Sequence, residues 1–190
     1  MARAISDYYK FLFIHIPKTG GTSLFNTKSK ACIKLLSEGK LILCGGHLGL
    51  ARMSKKIDIS KYFKFAIVRN PWDRFISLWL TRAKKLELDE FIERIKLGRE
   101  KWYALRPCIF WIGDSNNNIL VDKVLRYENY KEEVTDLMKK LGLHDIASEL
   151  PHLRKTNRHS NYRGYYTNEW QVEFVKKFYD LDIKTFNYDF

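Results

Sequence analysis

Cysteine is scarce in this chain, with three among 190 residues. Cys32, Cys44 and Cys108 form an odd, unpatterned set, which argues against a disulfide-stapled scaffold and for reduced, buried small residues. Cys44 and His47 have a C-x-x-H spacing, but no second pair completes a zinc site. Long apolar runs are absent too: no stretch approaches the ~20 residues of a membrane span. The opening stretch MARAISDYYKFLFIHI lacks the form of a signal peptide. Its apolar part is short, contains His15 and runs into a glycine turn instead of a cleavage site. It reads as part of the fold, and a cytoplasmic location is expected. With no internal repeat, low-complexity tract or long linker, one domain over residues 1–190 is expected. Acidic residues are outnumbered, 22 against 34 Lys plus Arg, giving a net charge of +12. Such a surface attracts anions of many kinds, from nucleotides to acidic polysaccharides, and does not choose among them. The basic residues are spread along the chain, and no helix-turn-helix, zinc-finger or RRM signature is present, so specific nucleic-acid binding is not expected.

What is present is an apolar run that ends in a glycine turn. Residues 11–24 read FLFIHIPKTGGTSL. Phe11 to Ile16 has the look of a strand buried on both faces of a parallel sheet. Within it His15 alternates into a packed core position. Pro17 closes the run, and Ser23 to Leu36 has apolar members spaced for a helix. In a strand, glycine turn and helix of this kind, the backbone N–H groups converge on one spot where the helix dipole also favours negative charge. A phosphate or sulfate suits that spot, although a tight turn without a ligand uses the same residues. A GxxxxGK[ST] nucleotide loop places its Lys after the last glycine. Here Lys18 precedes Gly20 and Gly21, so the spacing departs from that pattern.

Further along, strands and helices alternate. Leu41–Cys44 and Phe63–Val68 are strand candidates, the first stopping at Gly45-Gly46-His47 and the second at Arg69. Asn70 can cap a helix with Pro71 at its first position, and Trp72, Phe75, Ile76 and Trp79 recur at helical spacing. Asp89 opens a helix that runs to about Lys96 and stops at Gly98. Val121–Tyr127 reads as a strand, Tyr130–Leu141 as an amphipathic helix closed by Gly142. The basic, aromatic stretch LRKTNRHSNYRGYY has no periodicity and reads as a loop, followed by a last helix marked by Trp170, Phe174, Val175 and Phe178. This order predicts an α/β protein with a parallel sheet covered on both faces. Ligands gather at the carboxyl ends of such strands, where Lys18–Gly21, His47 and Arg69 all fall.

The pair HIPKTGGTSL and, some fifty residues later, FAIVRNPWDRFISLW resembles the sulfotransferases that use 3′-phosphoadenosine-5′-phosphosulfate (PAPS), above all their carbohydrate branch with its small bacterial members. VLRYENY and the closing YYTNEWQVEFVKKFYDLDIKTFNY are similar to that branch as well, and residues 80–120 match least. The resemblance implies a P-loop-kinase-like sulfotransferase fold of three layers, a central parallel sheet flanked by helices. It also implies PAPS as donor and 3′,5′-bisphosphoadenosine (PAP) as product. Lys18, Thr19, Gly20, Gly21, Thr22 and Ser23 match the 5′-phosphosulfate loop, with Lys18 acting on the leaving side. Arg69 and Ser77 match the 3′-phosphate site, and the basic segment with Arg158 and Arg163 matches a loop that closes over the nucleotide. His47 resembles a catalytic base that takes the acceptor hydroxyl's proton. The transferred sulfuryl carries less charge than a γ-phosphate, so Lys18, the loop amides and Arg69 or Arg74 suffice and no metal is expected. The acceptor implied is a carbohydrate or another hydroxyl compound, including an anionic one. Two other readings stay open: a small-molecule or nucleotide kinase using ATP–Mg, and a nucleotide- or polyanion-binding protein without catalysis.

Overall fold

Four residues, Asp7 to Lys10, separate Arg3–Ser6 from the apolar run that begins at Phe11, and so short a link joins only antiparallel strands. Lys10 closes the turn at φ 54. In the computed structural model, which describes residues 3–44, 49–150 and 161–190, this hairpin stands in the middle of a five-stranded sheet. The strands are β1 (Arg3–Ser6), β2 (Phe11–Ile14), β3 (Ile42–Cys44), β4 (Phe63–Val68) and β5 (Lys123–Arg126), in the order β3-β1-β2-β4-β5. β2, β4 and β5 are parallel, while β1 runs antiparallel to both β2 and β3. The sheet is therefore mixed, where the sequence reading has it parallel. The difference is β1, whose four residues carry too little apolar periodicity to be read as a strand.

The helices are α1 (Gly21–Leu24), α2 (Lys30–Ser37), α3 (Leu50–Met53), α4 (Pro71–Arg82), α5 (Leu88–Lys96), α6 (Ile109–Ile112), α7 (Tyr130–Lys140), α8 (His144–Glu149), α9 (Glu169–Phe178) and α10 (Asp180–Phe186). The expected helix from Ser23 to Leu36 is broken in two. Asn26 Oδ1 accepts the Lys28 amide (2.9 Å) in an Asx turn, and Ser29 starts α2 afresh by accepting the Cys32 amide (3.1 Å). Glu149 at the end of α8 holds that start, accepting from the Ser29 hydroxyl (2.5 Å) and the Ala31 amide (2.9 Å). Burial and this carboxylate push the Cys32 thiol up to about 11, so it stays protonated.

The chain divides into two compact units. The first comprises Met1–Val68 and Phe110–Lys155. Its core lies on one face of the sheet, where Phe11, Phe13, Phe65, Ile67 and Leu125 meet Leu24, Phe25 and Leu35 and, from α7 and α8, Val134, Met138 and Ile146. The alternate residues Leu12, Ile14, Ala66 and Val68 are buried as well, as expected of parallel strands with both faces covered. Each of the larger side chains among these contributes about 1.5–3 kcal/mol by leaving water.

The second unit comprises Arg69–Ile109 and Thr156–Phe190. Asn70 caps α4 as its sequence predicts, accepting from the amides of Trp72 (3.1 Å) and Asp73 (3.5 Å), with Pro71 in the first turn. Trp72, Phe75, Ile76 and Leu78 of α4, Phe91 and Ile92 of α5 and Val175 of α9 form its core, with Tyr179 between α9 and α10. The helix marked in the sequence by Trp170, Phe174, Val175 and Phe178 is α9, and the chain continues through Tyr179 into a further helix, α10, that the sequence reading does not contain.

Candidate active site

The apolar strand β2 delivers the chain to the glycine turn, and the turn is held by local bonds. The Thr19 hydroxyl donates to the Ile16 carbonyl (2.9 Å) and the Ser23 amide to the Gly20 carbonyl (2.8 Å). Two residues of the turn are left-handed, Lys18 at φ 68 and Gly20 at φ 86. Gly20 takes this conformation freely, but for Lys18 it costs on the order of 1–3 kcal/mol, a kind of strain that concentrates at functional sites. The amides of Gly21 and Thr22 begin α1, where no earlier carbonyl can accept them within the helix. Lys18, Thr22 and Ser23 are partly exposed, whereas Thr19 and Gly21 are buried. The turn thus presents amides, two hydroxyls and one ammonium, a donor set without a carboxylate, and such a set suits a phosphate or sulfate oxygen.

Glycine is required here by packing. A Cβ on Gly21 would stand 2.6 Å from His15 Cδ2 and 2.8 Å from Phe13 Cζ; on Gly20 it would stand 2.9 Å from Tyr130 Cε2 and 3.0 Å from Tyr127 Cε2. His15 is buried with its ring stacked on Phe13 (6.0 Å, 18°), the core role its place in the strand predicts. In the sequence Tyr127 and Tyr130 mark only the end of a strand and the start of a helix. The signal that could have found them is YENY directly after a strand, the place where a parallel sheet gathers its ligand loops.

In the second unit the arginines are buried. Arg69, 4% exposed, directs Nε to Asp73 Oδ2 at 2.7 Å. The i, i+4 spacing of Arg69 and Asp73 carried that signal. Ser77 lies partly exposed in the middle of α4. Arg74 is a correction: expected among the charges facing the transferred group, it is wholly buried. Its Nη2 donates to the carbonyls of Ala104 and Arg106, both at 2.8 Å, and its guanidinium lies 5.5 Å over the Tyr179 ring. Burial alone disfavours its charge, yet Cys108, Tyr179 and Asp182 more than offset that and hold its proton. Asp182 in turn accepts the amides of Cys108 (2.6 Å) and Ile109 (3.0 Å). Arg74 is a strut of the unit.

Arg163 sits in a 3-10 turn over Tyr162–Tyr165, exposed, with its guanidinium 5.2 Å over Tyr162 and 5.5 Å over Phe190. Phe190 packs on Trp72 (5.6 Å), and Asn70 Nδ2 donates to the Asp189 carbonyl (2.7 Å). Arg163 is thereby linked, through Phe190, to the start of α4 just after Arg69. His47 and Arg158 lie outside the described residues. Among the described residues no group of three or more His, Cys, Asp or Glu side chains is placed to hold a metal, and no helix is long and apolar enough to cross a membrane.

The chain matches the sulfotransferase family from residue 3 to residue 189, through both units. It belongs to that family. A curated relative is an uncharacterised protein of Archaeoglobus fulgidus, 29% identical over 114 residues, a stretch covering 59% of this sulfotransferase and 91% of the relative. No solved structure matches it. Family membership implies sulfuryl transfer to a hydroxyl-bearing acceptor.

Proposed function

We propose that this sulfotransferase, acting as one domain over residues 1–190, moves a sulfuryl group from PAPS to a hydroxyl of a carbohydrate. The observation that carries the proposal is the Lys18–Ser23 turn: two left-handed residues, one of them a strained lysine, followed by the partly exposed Thr22 and Ser23 in the first turn of α1. The donor supplies the sulfuryl group already activated as a phosphosulfate. The amides of Gly20 to Thr22 and the hydroxyls of Thr22 and Ser23 hold its 5′ end, and Thr19 and Gly21, being buried, keep the turn in shape. Lys18 Nζ meets the charge that develops on the leaving oxygen. Arg69 and Ser77 receive the 3′-phosphate, a role supported by the resemblance of RNPWDRFIS to the family's segment and by the fixed orientation that Asp73 gives Arg69. Arg163 and Arg158 add positive charge along the nucleotide.

His47 is assigned the proton: an imidazole nitrogen accepts it from the acceptor hydroxyl as the new bond forms. No metal is needed for these roles. The net charge of +12 supports an anionic glycan among the acceptors. The three unpaired cysteines suit a reducing compartment, in keeping with a cytoplasmic setting.

The test is a thermal-shift comparison of PAP without metal, ATP–Mg²⁺ and heparin, followed by an acceptor screen with labelled PAPS. PAP is expected to stabilise the protein by ~2–4 kcal/mol at 100 to 1,000 times its Kd. Stabilisation by ATP–Mg²⁺ but not by PAP would replace this reading with a kinase. In kinetics, His47→Ala is expected to lower kcat by roughly 10²–10⁴-fold with PAP affinity kept, while Lys18→Ala lowers both.

A further inference from the structure

Helix α1 has only four residues and no side-chain cap, since its N-cap is Gly20 itself. So short a helix does not hold its own shape, and glycine is the residue least able to keep one conformation unaided. Something outside the turn therefore has to fix it. Local bonds account for part: Gly20's carbonyl takes the Ser23 amide. The rest comes from the segment after β5. The rings of Tyr127 and Tyr130 close the side of Gly20 where a Cβ would stand, with ring carbons at 2.9–3.1 Å from that point. The Tyr130 hydroxyl also reaches the Gly20 carbonyl, at 3.4 Å, as a second and weaker donor.

The two rings are themselves fixed. They meet edge to face, with centroids 6.0 Å apart. Glu133, one turn into α7, accepts the Arg126 amide and the Asn129 side-chain amide, both at 2.9 Å, and so clamps the chain on either side of Tyr127. Val134 and Met138 of the same helix are buried in the core of the first unit. Burial, aided by Tyr127, pushes the Tyr130 hydroxyl far above its ordinary value, so it remains a donor at any physiological pH.

We propose that Tyr130 is a positioning residue for sulfuryl transfer: its ring holds Gly20 left-handed and thereby aims the Gly21 and Thr22 amides at the donor's 5′ end. The proposal rests on the reading of the Lys18–Ser23 turn as the donor's seat. Tyr130 touches no reacting atom; it acts through Gly20. The ring does the larger share and the long hydroxyl contact the smaller, which separates the substitutions by size.

The test has two readouts, one of which needs no ligand. Exchange of the Ser23 amide, followed by NMR in the ligand-free protein, is expected to quicken about tenfold or more in Tyr130→Ala and to change little in Tyr130→Phe. PAP affinity is expected to fall by about tenfold in Tyr130→Ala and to stay within about threefold in Tyr130→Phe. Tyr130→Leu, which keeps apolar volume without the ring plane, takes the place of the alanine variant should that one not fold, with the same direction expected. Met138→Ala, in the core of the same helix, is the control: it lowers stability but leaves both readouts at wild type. Should Tyr130→Ala behave like this control, Tyr130 is ordinary core and the proposal falls. A wild-type protein that ignores PAP while Ser23 exchange still responds to Tyr130→Ala would leave the mechanical link standing and overturn the donor reading instead.

Discussion

In the first unit the polar groups of the Lys18–Ser23 turn stand partly exposed on a frame of buried rings. In the second unit Arg69, Asp73, Arg74 and Asp182 are buried inside the frame and bonded to it. The contrast shows two ways to hold polar groups in a fixed geometry. Backbone amides cannot be deleted, so a turn of amides needs only shape, and shape is supplied by glycines against tyrosine, phenylalanine and histidine rings. A guanidinium has many rotamers, so it is made rigid by a carboxylate and paid for by desolvation.

The contrast breaks most severely at Arg74. Arg74→Met should cost about 3–5 kcal/mol, because Asp182 is left buried without its positive neighbour, and chemical denaturation reads it directly. Lys18→Ala, in the exposed turn, should change stability by no more than about 1 kcal/mol. A small loss for Arg74→Met would show that the second unit does not depend on its buried charges.

Next in size is Arg69→Ala, at about 3 kcal/mol, since it strands Asp73 in a buried site. The double variant Arg69→Ala/Asp73→Ala should recover at least about 1 kcal/mol of that while PAP affinity stays low. This isolates the phosphate role of Arg69 from its structural one. Recovery of both stability and affinity in the double variant would remove Arg69 from the donor site.

Smaller effects are expected at the glycines. Gly20→Ala should cost about 1–3 kcal/mol from its left-handed backbone alone, and Gly21→Ala a similar amount from overpacking against His15 and Phe13. Gly164, in the second unit, has no atom within 4 Å of a Cβ, so Gly164→Ala should stay within about 0.5 kcal/mol. Thermal unfolding of the three variants ranks them.

Acid separates the units most gently. In the first, Asp7 is held below its ordinary 3.8 by Tyr62 and Lys61, Asp58 by Ser60 and Asp114 by Asn118. Their stabilisation is present above that value and lost as pH falls through the lower folded pKa values. In the second, burial raises Asp182 above 3.8. Its contribution is complete below 3.8 and lost as pH rises through the folded value, so acid favours that unit. The indole NMR signal of Trp111, in the first unit, should lose its dispersion at a higher pH than that of Trp72, in the second. The reverse order would contradict the assignment of these carboxylates.

How much was legible depends on range along the chain. The turn PKTGGTS, the Asn70–Pro71 cap and β4 could be read because each is fixed by neighbours within a few residues. β1 could not, since a four-residue strand with mixed polarity is defined by its partners. The break between α1 and α2 is partly local, in the Asx turn at Asn26 and the cap at Ser29, and partly long-range, since Glu149, 120 residues from Ser29, holds the restart.

The sequence by itself determined the strand, the glycine turn after it and the family, because backbone geometry and side-chain chemistry are local. Only the tertiary structure decided that Gly20 is faced by Tyr127 and Tyr130, that Arg69 is tied to Asp73, and that Arg74 is a strut and not a ligand. Those outcomes depend on which groups are removed from water together, and burial is a property of the packed chain.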